Sequence, residues 1–251
     1  MIFTKLIGLI LQNIGRINFL RFTFYALFAL FFVCTSCRQN QIHLSGKFKN
    51  ADKRCLLLSK IEPNGVVLID TILLLNGNFS HKITKEEIGI YLIKYDDNTL
   101  LSFIAQSGDR LVFTGDAKDF EKTYDAQGNE ETRLLMETRY QLNQFKEKTK
   151  EWAAIFERHK YNVDYEKVTA HLDSLYNQEF NSHKEYLTQF IRKNKGKLAT
   201  LPAFYQKIGF IAFFDKQKDH ALLQEIYDGL VLTYPNSIYV EDLKEILEEE
   251  Y

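Results

Sequence analysis

The sequence predicts an α+β chain: an antiparallel β-sandwich or open barrel of about seven strands, then an all-helical region with a long helical hairpin. Three observations carry this. Between Gln41 and Gly115, short runs rich in β-branched, aliphatic and aromatic residues are separated by turn residues every ~8 to 12 positions, the spacing of a small sandwich or barrel. No helix-length stretch interrupts these runs, so the crossovers that a parallel sheet requires are missing. After Asp116 the apolar period changes from two to between three and four, which is the helical one.

The chain begins with a leader. Lys5, Arg16 and Arg21 are the only charges before Cys37, and all are positive, as the cytoplasmic side of an export signal requires. Phe22 to Val33 is an unbroken apolar run, shorter than the ~20 residues a spanning helix needs. Cys34-Thr35-Ser36 then supplies small residues ahead of Cys37. This resembles a bacterial lipobox, which implies cleavage before Cys37 and lipidation of that residue, with residues 1–36 as signal peptide. An uncleaved anchor helix reaching back through Ile14 to Leu20 is the competing reading.

Removing 36 of the 251 residues leaves 215, in which 29 basic residues face 33 acidic ones. Nothing there forms the clustered basic face that nucleic acid demands. Cys34 and Cys37 have the CxxC spacing, but one leaves with the signal and the other takes lipid. Only Cys55 survives, expected as a buried small hydrophobe in the run Cys55-Leu56-Leu57-Leu58.

Residues 37–115 are expected as the β domain. Ile42, Leu44 and Phe48 open the first strand, with Gly46 expected at a bulge. Arg54 to Ile61 and Val66 to Leu75 follow, joined by Glu62-Pro63-Asn64-Gly65. Asn76-Gly77 is a strong two-residue hairpin signal because both residues tolerate positive φ, and it predicts that Asn78 to Ile83 returns along the preceding strand. Gly89 to Tyr95, Leu100 to Gln106 and Arg110 to Gly115 complete the set. The elements Leu44-Ser45-Gly46-Lys47, Leu68-Ile69-Asp70-Thr71, Asn76-Gly77-Asn78-Phe79, Tyr91-Leu92 and Ser107-Gly108-Asp109 resemble the uncharacterised β domain that opens many Bacteroidota lipoproteins. There it precedes a helical segment and a TlpA/ResA-like thioredoxin domain. Asp70 within it reads as the polar end of a half-buried strand rather than as a ligand.

Residues 116–251 are expected as the helical domain. Leu135, Thr138, Leu142, Phe145, Thr149, Trp152 and Phe156 form the seam of one long helix. A second, capped by Asp164 and ending at Lys195 before Gly196, carries Val168, Leu172, Tyr176, Phe180, His183, Leu187 and Phe190. Three shorter helices are expected at Leu198 to Phe214, Asp219 to Tyr234 and Asn236 to Glu249, the last two separated by Pro235, with Asn236 or Ser237 as cap. Tyr234-Pro235-Asn236-Ser237 resembles the turn ahead of the family's thioredoxin domain. No CxxC follows before Tyr251, so the family's redox activity is not carried over. A stand-alone accessory form and a truncated oxidoreductase both fit.

The chemistry-bearing residues point to no reaction. The six histidines lack a ligand spacing: His171 and His183, twelve apart on one helix, lie ~18 Å apart along its axis. The neighbouring carboxylates Glu86-Glu87, Asp96-Asp97 and Glu248 to Glu250 read as solvated turns and a terminus rather than two acids across a cleft. Phosphate-loop, GxSxG and dinucleotide signatures do not occur. Phe204, Tyr205, Phe210, Phe213 and Phe214 read first as core, and otherwise as an aromatic groove for a peptide or apolar ligand. The expectation is a non-catalytic lipoprotein without cofactor or metal. It would be held in the cell envelope by lipid on Cys37, facing the periplasm from the inner or outer membrane, and would bind an envelope protein or peptide but no nucleic acid.

Overall fold

The structure, a computed structural model, describes residues 41–53, 55–84, 87–96 and 99–248. The expected signal peptide, residues 1–36, and Cys37 lie outside the described residues, as do Glu86, Asp97, Glu249 and Glu250. The seven strands expected from the sequence are β1 (Gln41–Lys49), β2 (Cys55–Glu62), β3 (Gly65–Leu73), β4 (Asn78–Thr84), β5 (Gly89–Lys94), β6 (Leu100–Ala105) and β7 (Arg110–Asp116). A one-turn helix α1 (Phe120–Thr123) and a short strand β8 (Asp125–Gln127) follow within the span expected to be helical. The strands make two four-stranded sheets, ordered β4-β1-β7-β8 and β3-β2-β5-β6.

Alternation decides which side of each strand is buried. Ile42, Leu44, Ile83, Leu111 and Phe113 of the first sheet share one core with Leu56, Leu58, Tyr91, Ile93, Leu101 and Phe103 of the second. The opposite face of the second sheet, through Ile90 and Ile104, packs under the helices. The order is therefore sheet, sheet, helices. Strand β5 is buried on both faces, which is why Gly89 to Ile93 reads as an unbroken apolar run.

Four expectations are corrected here. Strand β1 pairs antiparallel with β4 but parallel with β7, whose partner residues follow 67 positions later. Asn76-Gly77 does form the two-residue turn, with φ of 51° and 76° and reciprocal backbone bonds between Leu75 and Asn78, yet the pairing stops at that bridge: β3 pairs with β2 and β4 with β1, so the turn is a corner between sheets. Gly46 sits in unbroken register; a Cβ there would lie 2.6 Å from the Phe79 ring and 2.7 Å from the Phe113 carbonyl oxygen, so close packing rather than a bulge requires glycine. Cys55 is exposed, because burial of Leu56 and Leu58 turns it to the outer face.

The helical region contains α2 (Glu130–His159), α3 (Tyr165–Lys193), α4 (Thr200–Phe204), α5 (His220–Thr233) and α6 (Ile238–Glu248). The two long helices match expectation, and Phe145 of one meets Tyr176 and His183 of the other. Asp164 makes no capping bond; its carboxylate lies 3.2 Å from His159 Nδ1. Ser237 is the last cap, its hydroxyl accepting from the Tyr239 amide at 3.3 Å. The single helix expected at Leu198 to Phe214 is instead α4 followed by a two-stranded hairpin, β9 (Lys207–Ile208) and β10 (Ile211–Ala212). Gly209, at φ 58°, makes the reversal where a helix would need negative φ.

Two polar contacts fasten the helices to the second sheet, and a third ties helical segments to one another. Thr132 Oγ1 donates to the Ile104 carbonyl and accepts from the Ile104 amide, capping the β6 edge at that residue. Tyr239 OH accepts from the Ile90 amide at 2.8 Å and donates to the Ile61 carbonyl at 2.7 Å. The Glu131 carboxylate accepts from the amides of Leu198 and Ala199 and from Tyr234 OH.

Register also fixes the ends. The start of β1 pairs with the end of β4, and the Gln41 carbonyl accepts from the Gly108 amide in the β6–β7 turn. Ala105 at the end of β6 pairs with Gly89, Ile90 with Ile61, and Glu62 with Gly65. Gln41 and the β2–β3 hairpin tip therefore share one end, and the Asn76-Gly77 corner is at the other. Helix α2 starts at the first end, where Asn129 donates to Asp109, and its 30 residues carry it ~45 Å, past Glu121 to the turn before α3.

Candidate functional site

A concavity of about 630 Å³ lies between β6, α1 and α2. Its size falls within the usual range of ~300 to 1,000 Å³ for small-molecule sites. Leu100, Leu101 and Ser102 form one wall, Lys118 to Glu121 a second, and Leu135, Thr138, Arg139, Leu142, Asn143 and Lys146 a third, with Pro202 and Gln206 closing it.

Arg139 is the central group. Its Nη1 donates to the Tyr124 carbonyl at 3.2 Å and its Nη2 to the Phe120 carbonyl at 3.0 Å, so the guanidinium ties off the carboxy-terminal end of α1. The guanidinium also lies over the Tyr124 ring, 4.8 Å from its centroid. Burial lowers the Arg139 pKa, and its hydrogen bonds go to carbonyls, not to a carboxylate. Burial also raises the pKa of Tyr124, whose hydroxyl donates to the Ser102 carbonyl.

At the mouth, Glu121 receives Lys150 at 2.9 Å and Lys146 at 3.1 Å, and those hydrogen bonds, that of Lys150 first, hold its carboxyl below the usual range. Asn143 donates to the Glu121 carbonyl. An Arg with spare N–H groups beside amide and hydroxyl donors suits a small anion such as a carboxylate or phosphate. Among the described residues no group of three or more His, Cys, Asp or Glu is placed to hold a metal.

The aromatic residues singled out in the sequence separate. Phe204, Phe213 and Phe214 are buried; Phe204 stacks on Phe214 at 5.2 Å and Phe213 on Phe180 at 4.8 Å. Tyr205 is partly exposed, and Phe210 is fully exposed at the tip of the β9–β10 hairpin. The five therefore line no common groove. Asp70 lies mid-strand in β3, 3.4 Å from His81 of β4, and joins the two sheets at their surface.

His183 is buried, its Nε2 2.6 Å from Gln206 Oε1 and its ring 4.5 Å from Phe213. Burial lowers its pKa below the ordinary histidine value, so the folded chain holds it neutral where the unfolded chain begins to protonate. Stability from this group is complete above ~6.5 and is lost as pH falls below that towards the depressed folded value. Urea midpoints should thus fall between about pH 7.5 and 5.5 more steeply for the parent than for His183→Phe; equal slopes would contradict the assignment.

Sequence reasoning missed the cavity because Arg139 stands next to the helix seam with no spacing that marks it. The match to known families covers the β layers and extends to the first turns of α2. No curated protein matches the chain. Residues 42–135, which include all eight strands of the two large sheets and the Thr132 clamp, match the family described as Domain of unknown function (DUF4369).

Proposed function

We propose that this chain is a lipid-tethered, non-catalytic module of the cell envelope that binds an anionic group of a partner or ligand in the Arg139 cavity. The carrying observation is the uncharged run from Phe22 that ends at Cys37, four residues before β1 begins. The Arg139 guanidinium, whose hydrogen bonds go to the Tyr124 and Phe120 carbonyls, supports the binding role. The motifs of the β domain, with the match of residues 42–135 to an uncharacterised domain, support a place among the Bacteroidota lipoproteins in which this domain precedes a TlpA/ResA-like thioredoxin domain.

Radiolabelled palmitate should enter the protein and be lost in Cys37→Ala. A membrane-bound but unlabelled protein would overturn the tether and favour an anchor helix. In an insulin-reduction assay the chain should give no turnover; clear turnover would overturn the non-catalytic reading.

A further inference from the structure

We infer that the β2–β3 hairpin end is a membrane seat, in which Val66, Val67 and Leu68 enter the interface of the phospholipid bilayer that carries the lipid of Cys37. This rests on the lipid tether proposed above. Four residue steps separate Cys37 from Gln41, so the tether reaches at most ~14 Å. Gln41 itself is fixed in the sheet between β4 and the Gly108 turn, which leaves no slack on the protein side. The end of the sandwich that holds Gln41 must therefore lie against the headgroups.

That same end carries the β2–β3 tip, about three strand spacings, or ~14 Å, across the second sheet from β6. Val66, Val67 and Leu68 are 61%, 48% and 59% exposed there, on both faces of an edge strand. Three consecutive exposed aliphatic residues on an unpaired edge are a liability in water, and interfacial burial to ~5 to 10 Å would remove it. Leu75 is as exposed but stands at the opposite end of the sandwich, ~30 Å along the strand direction, and is expected in water.

The test uses the full lipidated chain with Cys55→Ser, reconstituted in phosphatidylethanolamine–phosphatidylglycerol vesicles. An environment-sensitive dye is attached at Val67→Cys, Leu68→Cys, Leu75→Cys or Val163→Cys, and lipid on Cys37 is verified by mass. Nitroxide lipid should quench the first two dyes several-fold more than the last two. Equal quenching at all four with Cys37 lipidated overturns the seat and leaves the tether standing. A shielded dye at Val67 that nitroxide lipid does not quench also overturns it, in favour of a second copy or another protein. A chain that carries no lipid overturns both readings.

Discussion

Replacing Glu131 with alanine is expected to cost the fold about 3 to 5 kcal/mol, because it strips the acceptor from two buried amides and a part-buried hydroxyl at once. The Leu198 and Ala199 amides and the Tyr234 hydroxyl all point at this carboxylate, at 3.1, 2.9 and 2.9 Å. Helical hydrogen bonding has no other use for those amides, which stand just before α4, and the site is too enclosed for water to replace the oxygens at no cost. Burial, and after it the charge of Glu131, raises the Tyr234 pKa. Urea unfolding should show the loss. Glu131→Gln, which keeps one acceptor oxygen, should lose less, and Tyr234→Phe only ~1 kcal/mol. The double change Glu131→Ala with Tyr234→Phe should fall short of the sum of the single ones. Strict additivity would mean that the two side chains do not share the bond seen here.

The second large effect is expected at Gly128, which connects β8 to the Asn129 cap of α2. Its φ is 136°, and a Cβ would lie 2.0 Å from the Arg110 carbonyl oxygen, so Gly128→Ala combines a forbidden backbone region with a backbone clash. A loss of about 3 kcal/mol or more is expected. It should be accompanied by faster hydrogen exchange at the Ile104 amide, because Asn129 and Thr132 would be displaced from the β6 edge. A variant within ~1 kcal/mol of the parent would show that the turn relaxes freely.

Much of the strand set was readable because turn chemistry is local. Asn76-Gly77 needs only its own two residues to adopt positive φ, and it does so. Which strand the chain joins after that corner depends on Phe48, Phe79 and the rest of a core assembled from distant segments, and no local pattern encodes it. The parallel pairing of β1 with β7 was hidden for the same reason. The exposure of Cys55 is not legible because Cys55-Leu56-Leu57-Leu58 holds no polar residue to reveal the phase of the alternation; Leu56 and Leu58 take the core, and the other two face out. The helices were legible as long stripes, whereas the β9–β10 hairpin replaced an expected helix over a stretch too short for a period to assert itself. Arg139 left no trace in the sequence, since its importance comes from two carbonyls at the end of a one-turn helix.

The central position of β1 has a mechanical meaning. A body held by its amino end takes load at Gln41 and passes it along β1, which is laced to β4 on one side and β7 on the other. A pull along that strand shears both ladders together, so many hydrogen bonds must yield in concert instead of peeling one by one. The strand nearest the proposed tether is thereby held by two ladders instead of one.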